Sequence, residues 1–344
     1  MTFQYQAGQS NSAPTATAAP KESNMQADIG SELDLRLTAI IYGADGTNLF
    51  EFRTSDGRDL PSFTAGSHVD VTLPTGAIRQ YSIASPESDL SRYLLGVKLD
   101  PKGRGGSRCL HEDVRVGSIL KISLPRNHFP LTESAPLSIF IAGGIGITPI
   151  HCMIEKLQAL GQNWRLHYAV RNRAEAVFLD RFAKAGDRVH LHVDAETNGS
   201  FMDVASIIQA APLDAHLYCC GPAPMLDAFE AACAGRPQDH VHLERFSAPD
   251  VVAAAGGSYT VELSKSKRSI TVQAGQTLLQ ALQAAGIKVK ISCEQGICGT
   301  CETRVISGTP DHRDTILSDE EKASNETMMV CCSGSLSPTL VLDL

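Results

Sequence analysis

The sequence has no apolar run long enough to cross a membrane, because nowhere do about 18 apolar residues follow one another. Its first 31 residues contain one lysine, no arginine and no apolar segment, so a secretory signal is not expected either. The positive charge typical of nucleic-acid-binding domains is also missing, since 30 Lys and Arg residues stand against 38 Asp and Glu residues. We therefore expect a cytoplasmic protein that binds neither a membrane nor a nucleic acid.

The composition is not that of a disordered or fibrous protein either, because 43% of the residues are hydrophobic and 20% are charged. A length of 344 residues fits two or three domains. The ten cysteines are the most informative count. Since a reducing compartment disfavours disulfides, cysteines there more often bind metal or take part in catalysis.

Hydrophobic patterning divides the chain into successive segments. Residues 1–31, rich in Gln, Ser, Ala, Thr and Pro, show no periodicity and are expected to form a disordered tail. Residues 32–130 carry short alternating apolar runs separated by Gly, Pro and Asp, which predicts an antiparallel β-barrel. Within 131–248, buried strands alternate with helical patterns, as is typical of a parallel α/β sheet. An Ala- and Gly-rich linker at 249–258 precedes a third domain at 259–344.

The apolar spacing also predicts individual elements. In the α/β segment we expect strands at 138–142, 165–170, 189–193 and 217–220. We expect helices there at 150–160, 174–183, 204–210 and from about 224. In the third domain we expect a hairpin formed by 259–263 and 270–272, followed by an amphipathic helix at 277–285.

A group of cysteines near the C-terminus has a recognisable spacing. Cys293, Cys298 and Cys301 follow the pattern C-x4-C-x2-C, and Cys331 follows later in the sequence MMVCCS. This is the spacing of plant-type [2Fe–2S] sites, in which four thiolates hold two irons. Zinc sites favour two separate C-x2-C pairs, and the segment contains only one such pair. The spacing therefore predicts an iron–sulfur cluster.

Two details of this motif bear on its geometry. Gly296 and Gly299 lie between the cysteines, and glycine permits the left-handed backbone and close approach that a loop around a cluster needs. Cys332 is adjacent to Cys331 and competes with it as the fourth ligand. Alternation along a strand would place their side chains on opposite faces, so that only one of them could face the cluster.

Two motifs in the first domain contain the parts that a phosphorylated flavin needs. RQYSIAS places Arg79, Tyr81 and Ser82 at the end of a β run, offering a cation, an aromatic flank and a hydroxyl. GRGGSR follows, and Gly105 and Gly106 allow main-chain N–H groups to approach a phosphate at the start of a helical segment.

Two glycine-rich turns in the α/β segment point to a dinucleotide. SIFIAGGIGITPI places Gly144 and Gly146 between a strand and a helix, where free amides attract a pyrophosphate. The pattern is G-x-G-x-x-P, so the generic G-x-G-x-x-G fingerprint is not met. The second turn, in YCCGPAPML, follows Cys220. Both turns belong to one predicted sheet and should meet at its carboxyl edge, where ligands bind.

Together these motifs resemble the ferredoxin–NADP reductase superfamily. The order of flavin barrel, nicotinamide domain and C-terminal plant-type ferredoxin is similar to that of the phthalate dioxygenase reductase family, over about residues 32–344. The resemblance implies a β-grasp fold for the third domain. It also implies FMN rather than FAD, NADH and a [2Fe–2S] cluster as cofactors, with Cys331 as the fourth ligand.

The resemblance further implies roles for individual residues. FMN would be held by Arg79, Gln80, Tyr81, Ser82, Val97, Lys98, Gly105, Gly106 and Ser107. NADH would contact Gly144, Gly146, Thr148, Arg171, Asp194, Cys220, Gly221, Pro222 and Phe246. The candidate catalytic residues are Ser82, Cys220 and Phe246, of which Phe246 would stack on the flavin ring.

A carboxylate at Asp194 bears on the choice of nucleotide. It can accept a hydrogen bond from a ribose hydroxyl and repel a 2′-phosphate, which favours NADH over NADPH. Arg171 and Arg173 lie nearby in sequence and work against that preference.

The implied function is the reductase component of a multicomponent oxygenase of Rieske type, used in the breakdown of aromatic or similar compounds. NADH would reduce FMN, and single electrons would pass through the cluster to the terminal oxygenase. One alternative is the same electron chain serving a cytochrome P450 or a di-iron hydroxylase. Another is a redox carrier or sensor without catalytic activity.

The partner contact is expected to be small and transient, and the protein is expected to be a monomer. The acidic run Asp319-Glu320-Glu321 could steer a basic partner, or it could simply begin a helix capped by Ser318. Hydride transfer needs no acid–base pair, so His111 and His242 are expected to be hydrogen-bonded structural residues.

Overall fold

The computed structural model describes Met1, residues 32–246 and residues 257–344. The rest of the predicted tail and residues 249–256 of the predicted linker lie outside the described residues. Within the described ranges, none of the helices has the length and apolar character required to span a membrane.

The first domain is an antiparallel barrel of six strands with one helix. Its elements are β1 (Glu32–Ala44), β2 (Thr47–Thr54), β3 (His68–Thr72), β4 (Ile78–Ser82), β5 (Tyr93–Lys98), α1 (Gly106–Glu112) and β6 (Ile119–Ser123). The strands pair in the order β4-β3-β6-β1-β2-β5. A single antiparallel bridge between Ile83 and Leu95 joins the two ends of this order and closes the barrel.

The alternating runs predicted β1, β3, β5 and β6, but β2 shows no clean alternation. Phe50 and Phe52 are fully buried in the barrel, and Glu51 between them is also buried. Although burial opposes ionisation, hydrogen bonds from Arg53 and Arg92 lower the pKa of Glu51 to about 2. Because Glu51 is buried together with Phe50 and Phe52, β2 does not show the alternation of buried apolar and exposed polar residues by which a strand is usually recognised.

The second domain is a parallel five-stranded sheet flanked by helices. Its elements are β7 (Ser138–Gly143), α2 (Ile147–Leu160), β8 (Trp164–Val170), β9 (Val189–Val193), α3 (Val204–Gln209), β10 (His216–Cys220), α4 (Ala223–Ala232) and β11 (Val241–Glu244). The strand order is β11-β10-β7-β8-β9. The order reverses direction between β7 and β10, and such a switch point is where open α/β sheets bind ligands.

The helix predicted at 174–183 is wrong. The segment instead forms two short 3-10 turns, Arg173–Glu175 and Leu179–Phe182. Phe178 between them has a left-handed φ of 62°, which a helix does not accommodate, and its ring stacks on His151 with centroids 4.2 Å apart. Packing of this aromatic side chain against α2 outweighs the local helical pattern.

The third domain is a small mixed sheet with a helix across it. Its elements are β12 (Tyr259–Leu263), β13 (Arg268–Val272), α5 (Leu278–Ala284), β14 (Glu302–Ser307), β15 (Pro310–Asp311), α6 (Asp319–Ser324), β16 (Thr327–Met329), β17 (Gly334–Ser335) and β18 (Thr339–Leu342). The main sheet has the order β13-β12-β18-β14-β16, with β12 and β18 parallel. Thr277 caps α5 through a capping box with Gln280. The fold is the predicted β-grasp, and the three-part fold class is confirmed.

Candidate redox site

The four cysteines of the C-terminal motif come together in the third domain. Cys293, Cys298 and Cys301 lie on the loop between α5 and β14, and Cys331 lies just after β16. All four are buried, with at most 5% of each residue exposed. Four buried thiols with this spacing are the donor set that a [2Fe–2S] cluster requires.

The loop around these cysteines has the conformation that its glycines predict. Gly296 and Gly299 have φ values of 72° and 70°, in the left-handed region that favours glycine. The N–H of Gln295 donates to Cys293 Sγ at 3.3 Å, and Cys298 Sγ lies 3.3 Å from Thr300 Oγ1. Such hydrogen bonds to ligand sulfur are a normal feature of iron–sulfur sites.

Cys331 and Cys332 lie in a turn after β16, so the alternation argued for a strand does not apply to them. The Cys331 thiol lies close enough to interact with the thiols of Cys293 and Cys301 as well as with its neighbour Cys332. Cys332 Sγ instead lies 3.8 Å from the Met329 carbonyl oxygen and fills the space beside Gly296. These contacts favour Cys331 as the fourth ligand, for a reason other than strand alternation.

The two flavin motifs of the barrel lie side by side. Arg79, on β4, passes so close to Gly106 that a Cβ atom there would lie 2.6 Å from Arg79 Cγ. Arg79 also donates to the Arg104 carbonyl oxygen at 3.0 Å. Gly105 has a φ of 82° and precedes α1 without a side-chain cap, so the first N–H groups of α1 remain available to an anion. Ser107 uses its hydroxyl to accept from the Asp100 N–H at 3.0 Å.

The other predicted flavin residues line the neighbouring strands. Tyr81 is half-buried against the barrel core. Gln80 Nε2 is buried and has no hydrogen-bond partner among the described residues, as expected of a donor that serves a bound polar molecule. Val97 is buried, and its carbonyl oxygen lies 2.9 Å from His111 Nε2. Lys98 is already paired with Glu175 of the second domain, at 2.6 Å.

The two glycine turns of the second domain meet at the carboxyl edge of the sheet, as predicted. A Cβ atom at Gly146 would lie 2.1 Å from the Cys220 carbonyl oxygen, so only glycine allows this approach. Gly144 has a left-handed φ of 52°. Gly221 packs in turn against Gly143, and Pro222 begins α4. Thr148, at the start of α2, is 2% exposed and donates to the Ile145 carbonyl oxygen at 2.9 Å.

A carboxyl group whose side chain is 13% exposed links the barrel to the carboxyl edge of the second-domain sheet, and the sequence motifs did not identify it. Glu244, the last residue of β11, has Oε2 3.4 Å from Ser82 Oγ and 4.0 Å from Cys220 Sγ. Burial raises its pKa to about 8. Burial also raises the pKa of the Cys220 thiol well above its usual value, so Cys220 is not a thiolate. Ser82 and Cys220, two of the candidate catalytic residues, therefore both lie next to Glu244.

The adenosine side of the predicted nucleotide site holds two acidic residues. Asp194 follows β9 and is 21% exposed, and Arg171 is exposed after β8. Arg173, expected to oppose NADH selectivity, is bound by both carboxylate oxygens of Glu196 at 2.8 and 2.7 Å. Its charge is therefore compensated within the protein. Phe246 lies two residues beyond Glu244 and is 41% exposed.

The two histidines that were expected to be structural both contact neighbouring groups of the protein. His111 bonds to the Val97 carbonyl oxygen, and His242 stacks on Tyr218 with ring centroids 4.4 Å apart. The acidic run Asp319-Glu320-Glu321 forms the first turn of α6, and Ser318 caps this helix through a capping box. This agrees with the expectation that the run begins a capped helix. All ten cysteines are free thiols.

The fold and these groups define an oxidoreductase that binds a nicotinamide nucleotide and an iron–sulfur cluster. Residues 140–231 match the oxidoreductase NAD-binding domain, and residues 261–334 match the 2Fe-2S iron-sulfur cluster binding domain. The chain is 51% identical over 312 residues to the phenoxybenzoate dioxygenase subunit beta of Ectopseudomonas oleovorans. That match covers 91% of this chain and 97% of the relative.

Two solved structures extend the comparison. Phthalate dioxygenase reductase matches with a TM-score of 0.70 and 36% identity, over 91% of this chain and 98% of the other. An intact type IV self-sufficient cytochrome P450 monooxygenase matches with a TM-score of 0.81 and 38% identity. There the match covers 91% of this chain but only 41% of the longer P450 chain.

The chain belongs to the phthalate dioxygenase reductase family of oxygenase reductases. It is an oxidoreductase with an NAD-binding domain and a [2Fe–2S] domain, and FMN is the flavin that this family implies. The predicted family, enzyme class and cofactor set are thereby confirmed at the level of the family. The assignment of individual residues to these cofactors stays a prediction.

Proposed function

We propose that this protein takes a hydride from NADH onto FMN and passes single electrons through its [2Fe–2S] cluster to a terminal oxygenase. The observation that carries this proposal is the junction of Ser82, Cys220 and Glu244. It brings the predicted flavin strand of the barrel against the carboxyl edge of the nucleotide sheet. FMN, when bound, supplies the exchange between two-electron and one-electron chemistry that neither NADH nor the cluster provides alone.

The barrel residues hold and orient the flavin in this proposal. Arg79 and the free N–H groups after Gly105 provide a positive environment for the phosphate. Tyr81 and the Gln80 amide, whose Nε2 has no hydrogen-bond partner among the described residues, would contact the flavin. Phe246, which is 41% exposed, would be free to stack on the flavin ring. No acid–base pair is needed for hydride transfer itself.

Glu244 holds a proton beside the flavin strand. Because its pKa is raised to about 8, the carboxyl group is mostly protonated at neutral pH. Ser82 Oγ donates a hydrogen bond to Glu244 Oε2 at 3.4 Å. Glu244 can therefore supply or accept a proton through Ser82 as the charge at the flavin strand changes.

The nucleotide site favours NADH over NADPH. Asp194 repels a 2′-phosphate, and Glu196 occupies the guanidinium of Arg173 that could otherwise bind one. Only Arg171, exposed and without such a bidentate partner among the described residues, still opposes this preference. Because Arg173 is paired with Glu196, only one of the two arginines near Asp194 still argues against a preference for NADH.

The client is proposed to be a separate oxygenase of Rieske type that makes transient contact near the cluster, with this protein acting as a cytoplasmic monomer. The 51% identity with a dioxygenase subunit supports a free-standing partner. The match to a self-sufficient P450 supports a second candidate, a cytochrome P450 client.

Two experiments test the proposal. Anaerobic addition of NADH to the holoprotein should bleach both the flavin and the cluster absorbance, and no bleaching would contradict the reductase function. Reconstitution with separate Rieske oxygenases and with P450 enzymes then identifies the client. Turnover with P450 enzymes alone would overturn the Rieske assignment while leaving the electron chain intact.

A further inference from the structure

Two consecutive residues of the cluster loop are bound by side chains of the barrel. Ser292 Oγ donates to Asp70 Oδ1 at 2.8 Å, and Arg104 Nη1 donates to the Cys293 carbonyl oxygen at 2.9 Å. Ser292 is 3% exposed and Asp70 is 8% exposed. Hydrogen bonds that involve a charged group and are shielded from water are stronger than neutral, exposed ones. The loop is therefore held to the barrel at one of the cluster ligands.

Asp70 is fixed in place independently of the loop. Its Oδ2 accepts from Arg126 Nη2 at 2.8 Å, and its main-chain N–H donates to Ser123 Oγ at 2.9 Å. Because Arg126 already compensates the Asp70 charge within the barrel, the hydrogen bond from Ser292 is not required to satisfy that charge. The Ser292 contact serves the docking of the loop.

Both barrel side chains are neighbours of predicted flavin residues. Asp70, on β3, is the register partner of Gln80 on β4. The Arg104 carbonyl oxygen accepts from Arg79, while the Arg104 guanidinium reaches Cys293. One continuous set of contacts thus runs from the flavin residues to a cluster ligand.

We propose that Asp70 and Arg104 are positioning residues, which hold Cys293 beside the flavin and so set the rate of electron transfer from flavin to cluster. This inference rests on the proposed function. NADH is oxidised to NAD⁺ as its hydride, with a proton from solvent, reduces the flavin. The two electrons then leave the flavin one at a time. Each reduces one iron of the cluster from Fe³⁺ to Fe²⁺ and passes on to the terminal oxygenase before the next arrives, while the protons return to solvent. A small displacement of the loop should slow only the second stage.

The test compares the two stages by anaerobic rapid mixing of holoprotein with NADH. Ser292→Ala and Asp70→Asn should leave the rate of flavin bleaching unchanged and slow cluster reduction by about tenfold or more. Arg104→Ala should do the same once its FMN content is shown to equal that of the unchanged protein. The matched controls are Asp34→Asn and Arg115→Ala in the same domain. Asp34 is 66% exposed, and the Arg115 guanidinium donates to the carbonyl oxygen of the neighbouring Val114.

A second readout does not depend on turnover. A cluster close to the flavin quenches flavin fluorescence, so the oxidised Ser292→Ala and Asp70→Asn proteins should fluoresce more brightly than the control variants at equal FMN and iron content. Because Ser292 and Asp70 form one hydrogen bond, the double variant should add little to either single variant.

The outcomes separate this inference from the proposed function. If NADH bleaches neither centre in the unchanged protein, the proposed function fails. If both centres are reduced there, but Ser292→Ala and Asp70→Asn match the controls in cluster reduction and fluorescence, the inference fails. Additive effects in the double variant, or slower flavin bleaching in the single variants, would also overturn it.

Discussion

The cluster loop and the flavin–nicotinamide junction are assembled in different ways. Cys293, Cys298 and Cys301 lie within nine residues of sequence, and their spacing alone specifies the chemistry. The junction joins Ser82, Cys220 and Glu244, which come from the ends of three strands in two domains. A local motif can be recognised in the sequence, whereas a junction is recognised only when the topology is known. The two regions should therefore respond differently to substitution.

The largest effect is expected in the cluster loop. Cys298→Ser should lower electron delivery to cytochrome c by more than about 100-fold, because a hydroxyl is a poor substitute for a thiolate ligand. Flavin reduction by NADH, followed by absorbance under anaerobic conditions, should continue at its normal rate. Loss of both activities would show that the two regions are not separable.

The adjacent cysteines provide a matched pair for the same comparison. Cys331→Ser should remove the cluster absorbance, since the Cys331 thiol contacts Cys293 and Cys301. Cys332→Ser should retain the absorbance and iron content. The opposite result would assign the fourth ligand to Cys332.

At the junction, Glu244→Gln should lower the rate of flavin reoxidation at pH 7 by about tenfold to 100-fold, because the amide cannot accept the proton that the flavin releases. In the unchanged protein the rate should vary with pH around 8, where Glu244 ionises. The variant should lose that dependence in rapid-mixing measurements between pH 6 and 9. A pH profile shared by both proteins would remove Glu244 from the reaction.

On the adenosine side, Asp194→Ala should raise kcat/KM for NADPH relative to NADH by about tenfold, equivalent to about 1.4 kcal/mol. Glu196→Ala should add to this effect by freeing Arg173 for a 2′-phosphate. Combining Glu196→Ala with Arg173→Ala should cancel that gain. An unchanged nucleotide preference in Asp194→Ala would remove its assigned role.

The smallest effect concerns stability outside both regions. Burial lowers the pKa of His167 and of His242 to about 4, so the unfolded chain binds more protons than the folded chain as pH falls below 6.5. The free energy of unfolding should decrease between pH 6.5 and 4, by less than about 1.4 kcal/mol per pH unit for each histidine because both are partly solvated. Urea unfolding of His242→Gln and of His167→Gln should each show a weaker pH dependence than that of the unchanged protein. Equal slopes in all three proteins would contradict this account.

Sequence reasoning succeeded where a signal is local. The glycines at 296 and 299, the capping residue Ser318, and the meeting of the two glycine turns were all expected from short patterns. It failed where contacts between residues far apart in the sequence determine the local structure. Phe178 breaks the expected helix at 174–183 through its contact with His151.

The candidate site shows the same division. The cysteines and glycine turns were identified, but Glu244 was missed although it stands two residues before Phe246 in HLERF. A single carboxyl group carries no pattern, and its burial against Ser82 depends on how β11 meets the barrel. Asp70 and Ser292, which are 222 residues apart, were equally unpredictable.

The most direct test of the proposed electron path is anaerobic rapid mixing of NADH with the holoprotein and with protein stripped of FMN. In the holoprotein, flavin absorbance should fall first and cluster absorbance should follow. In the stripped protein, the cluster should remain oxidised. Reduction of the cluster by NADH at the same rate without FMN would contradict the path from nucleotide through flavin to iron.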